Sequence, residues 1–266
     1  MACGELGMRG NGLRISFNDK FYDDMEKLKY FFLMDGIDKE QTIYQYMDLD
    51  YLLRLLDTRT YFVKPKQSFH DFHERCLPLK SIFKPHFIGR ECDKSILANT
   101  EESLVRLRQF RESGTMLTAC WTEHRGENAL MWRNFTNKMG ICIKSSIHNF
   151  IASIDTDDYD ICCGRMSYTG IHTETEIVDC LFTKDKAFAD EDEIRFYFTP
   201  RCSQSDKTDK GVSIPVLPQV LIEEIILSPY INVQACKVLI DFINEKYNID
   251  KQNRFRVRTS EIKLKL

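Results

Sequence analysis

Two short stretches carry side chains that can move protons or hold charge. "QSFHDFHERC", from Gln67 to Cys76, places His70, Asp71, His73 and Glu74 within five consecutive positions, and each can ligate a metal or act as an acid or base. "FTKDKAFADEDEIRFYF" is different in kind, because its last part alternates. Glu193, Arg195 and Tyr197 face one side of a strand, and Ile194, Phe196 and Phe198 face the other. Glu191 extends the polar row if the strand begins early. A carboxylate and a guanidinium two residues apart on one face can hold a polar ligand. The same pattern also suits an exposed strand face with an ion pair worth about 0–1 kcal/mol.

The first stretch is a poor metal site. Residues this close in an extended turn rarely converge on one ion unaided. His86, His124, His148 and His172 show no ligand spacing. Asp71 is read instead as capping the turn that leaves the strand "TYFV". The 10 cysteines are scattered, often in apolar runs such as "GICI", and form no CxxC pair, which points to reduced thiols. No GxGxxG, P-loop or GxSxG spacing occurs, so Rossmann, nucleoside-triphosphate and hydrolase-elbow sites are disfavoured.

The elements that must position these residues read as follows. Of 266 residues, 43% are hydrophobic and 12% aromatic, ample for a packed core, while a net charge of −3 supplies no global attraction to nucleic acid or membranes. The start lacks a signal-peptide pattern, and no run approaches the ~18 apolar residues of a membrane span, so a cytoplasmic protein is expected. Asn18 to Met34 reads as an amphipathic helix, giving an N-terminal helical extension over 1–38 and one domain over 39–266. Next come strand "IYQY", a helix capped by Asp48 with a stripe of Leu49, Leu52, Leu53 and Leu56, and strand "TYFV" stopping at Pro65. A helix from Asn99 to Gly114 precedes strand "TMLTACW", helix "ENALMWRNF" and strand "GICIK". The second half reads as strands "ICCGRMSY", "EIVDCLFT", "EIRFYF" and "IEEIIL", a helix from Asn232 to Tyr247, and closing strands "RFRVRT" and "EIKLKL". This order predicts an α+β fold, a single domain with a mixed or split antiparallel sheet and packed helices.

Five pieces in this order, "YQYMDLDYLLRLL", "YFVKPKQSFHDFHE", "ACWTEHRGENALMWRNFTNKMGICI", "FTKDKAFADEDEIRFYF" and "IEEIIL", resemble a large bacterial family catalogued as a domain of unknown function. Its members show a YRY-type strand, a phenylalanine–asparagine–aspartate–proline turn, a tryptophan helix before a KGxCI strand, and a lysine–tryptophan–ExEWR segment. Tyr44 and Tyr46 fit the first motif, with Gln45 where an arginine is usual. Phe69, Asp71 and Glu74 fit the turn, with His70 in place of asparagine and Phe72 and His73 in place of proline and phenylalanine. Cys120, Met131, Trp132, Gly140 and Cys142 fit the middle motif. Lys184, Glu191, Glu193 and Arg195 fit the last, with Phe188 and Ile194 where tryptophans are usual. A metal site on His70 and His73 would be peculiar to this chain, so no metal is assigned.

The opening strand, leucine-rich helix and second strand are also similar to the start of ADP-ribosyltransferase folds, and "EDE" is similar to their ExE element. That resemblance implies NAD or a related nucleotide as substrate, with no permanently bound cofactor. In such chemistry the nicotinamide–ribose bond breaks through an oxocarbenium-like state, which a carboxylate stabilises while aromatics stack on the nicotinamide. It implies Glu193 as the catalytic carboxylate and Glu191 as the group that positions acceptor or water. Ligand binding would fall to Tyr44, Tyr46, Tyr61, Arg195 and Lys184, although plain strand packing also accounts for the tyrosines. The expected setting is bacterial or phage defence. The alternative is a non-enzymatic ligand-sensing or protein-interaction module on the same scaffold.

Overall fold

The computed structural model of the chain describes residues 31–33, 36–65, 117–124, 126–168, 182–200, 211–247 and 255–263. The turn holding His70 to Glu74, the helix expected from Asn99 to Gly114, and most of the strand expected in "EIVDCLFT" lie outside these residues. The fold is α+β, built on one open sheet that is mostly antiparallel. In spatial order the sheet runs β1 (Phe31–Leu33), β6 (Tyr159–Arg165), β9 (Glu193–Pro200), β4 (Leu117–Thr122), β2 (Thr42–Asp48), β5 (Gly140–Ser146), β11 (Glu224–Leu227) and β12 (Arg256–Thr259). Strand β3 (Thr60–Pro65) pairs with β4 and with β10 (Val212–Pro215). Among the described residues, the parallel pairings in this sheet are β1 with β6 and β11 with β12.

Some elements depart from expectation. The helix read over Asn18 to Met34 does not extend through Phe31–Leu33, which instead pair in parallel with Ile161–Cys163. A short apolar run has no period of its own, and here the exposed edge of β6 decides its conformation. Likewise Glu261 to Lys263, expected to open a strand, follow β12 without strand structure.

Two-residue alternation assigns the faces. Ile43, Trp121, Ile143, Ile161, Phe196 and Ile225 point to the main core, where helices α1 (Leu49–Thr58), α3 (Ile147–Ala152), α4 (Pro218–Leu221) and α5 (Val233–Tyr247) pack. Phe150 of α3 sits at its centre, with ring centroids 4.4 Å from Phe196, 5.2 Å from Tyr61 and 5.3 Å from Trp121. The buried stripe of α1 is Leu52, Leu55 and Leu56, so the stripe turns away from Leu53 relative to the expected one. Asp48 precedes α1 but makes no side-chain cap. Its carboxylate accepts from the Asn137 backbone N–H at 2.7 Å, tying β2 to the turn before β5.

The opposite face is covered in two patches. Helix α2 (Ala129–Phe135) lays Met131 and Trp132 over Tyr46, Cys142 and Ile226. The two-stranded ribbon of β7 (Ser167–Tyr168) and β8 (Thr183–Lys184), followed by a 3-10 turn over Lys186–Glu191, lies against β9. That ribbon builds the site.

Candidate functional site

Glu193, Arg195 and Tyr197 do share one face of β9, and that face is buried rather than exposed: the three are 3%, 1% and 1% accessible. The guanidinium forks onto the carboxylate, Arg195 Nε donating to Glu193 Oε1 at 2.7 Å and Nη2 to Oε2 at 2.9 Å. Lys184 Nζ donates to Glu193 Oε2 at 3.3 Å and more closely to Glu191 Oε2 at 2.6 Å. Arg195 Nη1 reaches the Tyr197 hydroxyl at 3.3 Å, and the Tyr197 ring meets Phe182 edge-on at 5.3 Å. The Glu193 backbone N–H donates to the Tyr168 hydroxyl at 2.7 Å. Lys184 also stands 4.8 Å above the Phe188 ring.

The electrostatics follow from this packing. Burial alone would raise the Glu193 carboxyl. The charge and hydrogen bonds of Arg195, then the charge of Lys184 and a hydrogen bond from Cys120, reverse that and hold it below the ordinary glutamate value. Glu193 is therefore ionised at neutral pH. A charge-assisted fork in a site this dry is also rigid.

Register places the tyrosines. Glu193 pairs with Thr122, and Thr122 pairs with Tyr44, so these three form one row across β9, β4 and β2. Two inter-strand steps put the Tyr44 and Glu193 backbones about 10 Å apart on the same face. The row continues from Tyr44 through Lys144 and Glu224 to Arg256. Tyr44 is half-buried. Tyr46 shares its face but is engaged: its ring meets Trp132 edge-on at 4.9 Å, and its hydroxyl accepts from the Asn128 N–H at 2.9 Å.

Tyr61 lies on the other face, in the main core, stacked 6.3 Å from Trp121. Its hydroxyl accepts from Gln45 Nε2, which also donates to the Cys120 carbonyl at 3.0 Å. Residue 45 therefore projects away from Glu193. The structure thus brings together Lys184, Glu191, Glu193 and Arg195, places Tyr44 in their row and Tyr46 beside it, and separates Tyr61 from all of them.

Several participants escaped the sequence reading. Tyr168 and Phe182 come from the covering ribbon, whose contact with β9 is not local in sequence. Tyr197 was legible by alternation alone. Glu127 is a second buried carboxylate: it accepts from Arg258 Nη1 at 2.9 Å, the Glu261 N–H at 2.9 Å, Trp132 Nε1 at 3.3 Å and the Ser260 hydroxyl. Four donors on one carboxylate make it a clasp for the segment after β12, and Arg258 also pairs with Glu224 at 3.1 Å. Arg256 likewise meets Glu224, at 3.4 Å.

No protein-family model matches the chain, and no curated protein sequence matches it. The family resemblance therefore rests on the motif residues alone. Among solved structures, Thermus sp. 2.9 DarT in complex with NAD+ is similar at 9% identity and a TM-score of 0.38, over 85% of this chain and 98% of that one. The same protein in complex with carba-NAD+ is similar at 10% identity and a TM-score of 0.37, with the same coverage. Similarity this loose places no residue of one chain on a residue of the other.

Proposed function

We propose that the chain acts on NAD or a related nucleotide as an ADP-ribosyltransferase-like enzyme. The observation that supports this most is a buried, ionised Glu193 with the less buried Glu191 beside it and Tyr44 in its row. In this reading the ring of Tyr44 receives the nicotinamide. The bond from C1′ of the ribose to the nicotinamide nitrogen breaks heterolytically, and its electron pair leaves with neutral nicotinamide. The cation left on the ribose is stabilised by the Glu193 carboxylate, which also accepts a hydrogen bond from a ribose hydroxyl. Acceptor or water then bonds to C1′ and gives its proton to Glu191.

The hydroxyl enters where Lys184 meets Glu193 Oε2. At 3.3 Å this is the weakest of the three contacts, and Lys184 keeps the closer Glu191 when it yields. Arg195 stays in place, fixing the carboxylate rather than touching substrate. Lys184, once freed from Glu193, faces the ligand's charge.

A binding module is the second reading, favoured by the saturation of Glu193: both oxygens already have donors within the chain. The discriminating experiment is calorimetric titration with NAD beside a nicotinamide-release assay, run with and without cell lysate to supply an acceptor. The enzyme reading expects binding with release. Binding without release under both conditions favours the module, and absence of binding removes both nucleotide readings.

A further inference from the structure

By spacing alone His124 is an isolated histidine, yet the fold places it between the two halves of the candidate site. It lies two residues past the end of β4, and its side chain is 17% exposed. Its Nδ1 lies 3.0 Å from Asp192 Oδ2, and its Nε2 lies 2.8 Å from the Asp190 carbonyl oxygen and 2.9 Å from Asn128 Nδ2. Asp190 and Asp192 alternate with Glu191 and Glu193, and Asp192 turns the chain there in the left-handed conformation, φ 39°. The backbone N–H of Glu123 adds a bond to the Asp192 carbonyl at 2.9 Å. On the other side, Asn128 caps α2 by accepting from the Leu130 N–H at 2.8 Å, and its own N–H holds the Tyr46 hydroxyl.

We propose that His124 is a positioning residue that fixes the carboxylate turn, Asp190 to Glu193, relative to the tyrosine strand β2. This rests on the reading of Glu193 and Tyr44 as one site. The ring is suited to the task because its nitrogens point in fixed, divergent directions in one plane. Nδ1–H donates to the Asp192 carboxylate. Nε2 serves one neighbour at a time, donating to the Asp190 carbonyl when it carries a proton or accepting from Asn128 Nδ2 when it does not. The Asp192 carboxylate is half exposed, so its contact with the ring alone would contribute little. What the ring adds is a rigid spacer joining the end of β4, the carboxylate turn and the cap of α2.

The test is amide hydrogen exchange on the full chain, comparing the wild type with His124→Ala and His124→Gln. In His124→Ala, the 185–193 segment and the 128–135 helix should both exchange about tenfold faster, the size expected for losing one or two such hydrogen bonds. Strands β5 and β11 should not change, and His124→Gln should recover part of the protection. Acceleration of one segment only, or of neither, overturns the proposal. In nicotinamide release, His124→Ala should lower kcat about tenfold with KM within about twofold, as for a group that acts through others. A raised KM with kcat intact also overturns it. If the wild type releases no nicotinamide, the enzyme reading falls, and the exchange result alone still decides whether His124 couples turn to strand.

Discussion

At the scale of single residues, the pairing of Arg195 with Glu193 is buried and carries a cost. Neither charge would be tolerated in so dry a place without the other. Arg195→Met should destabilise the fold by about 3–5 kcal/mol in urea unfolding, because it strands a buried carboxylate. Arg195→Lys should recover only part, since a point charge cannot form the two-pronged contact. The pH dependence has a definite sign. Glu193 titrates below the ordinary 4.5 in the folded chain, so its contribution is complete above that value and lost as pH falls through the lower folded one. Glu127 is lowered too, its burial outweighed by bonds from the Glu261 N–H, Ser260 and Arg258. Glu193→Gln should therefore flatten the acid limb of the stability curve without abolishing it. An acid limb identical to the wild type would mean that Glu193 is not held ionised by its neighbours.

At the scale of elements, what could be read from the chain was what alternates or caps locally. "EIRFYF" carries its faces in a two-residue period, and β9 follows it, with Ile194, Phe196 and Phe198 in the main core and Glu193, Arg195 and Tyr197 on the other face. Trp132, legible as part of a motif, is fully buried, so Trp132→Ala should cost about 3–5 kcal/mol by denaturant titration. Gly140 shows why "KMGICI" needs its glycine: a Cβ there would stand 2.3 Å from Thr136 Cβ, at the end of α2. Gly140→Ala should lower stability by about 1–3 kcal/mol, whereas a change at exposed Lys138 should not. What could not be read were the contacts made at a distance. Asp48 has the residue type of a helix cap, but the Asn137 N–H takes its carboxylate first. The polar face of β9 reads as exposed until the β7–β8 ribbon covers it, and no local pattern in "EIVDCLFT" announces that contact. His124 fell outside every spacing rule because its partners lie on two segments, the turn holding Asp190 and Asp192 and the cap of α2 at Asn128.

At the scale of the whole molecule, the sheet separates two jobs. Among the described residues, one face builds the main core against α1, α3, α4 and α5, and the other carries the charged and aromatic row from Glu193 to Arg256. Among the described residues, no helix is long and apolar enough to cross a membrane. A formal charge of only −3 gives the molecule a weak overall field. The positions of Gln45 and Tyr61 on the core face concentrate the candidate site on the Glu193–Tyr44 row. The central claim is that Glu193 acts on the nicotinamide–ribose bond, and the most direct measurement is nicotinamide release from NAD by the purified wild type beside Glu193→Gln. The substitution keeps size and shape, and calorimetry would report whether it still binds NAD. The account predicts a clear wild-type signal that falls at least about a hundredfold in a variant that retains binding. Equal release from the two proteins would contradict it.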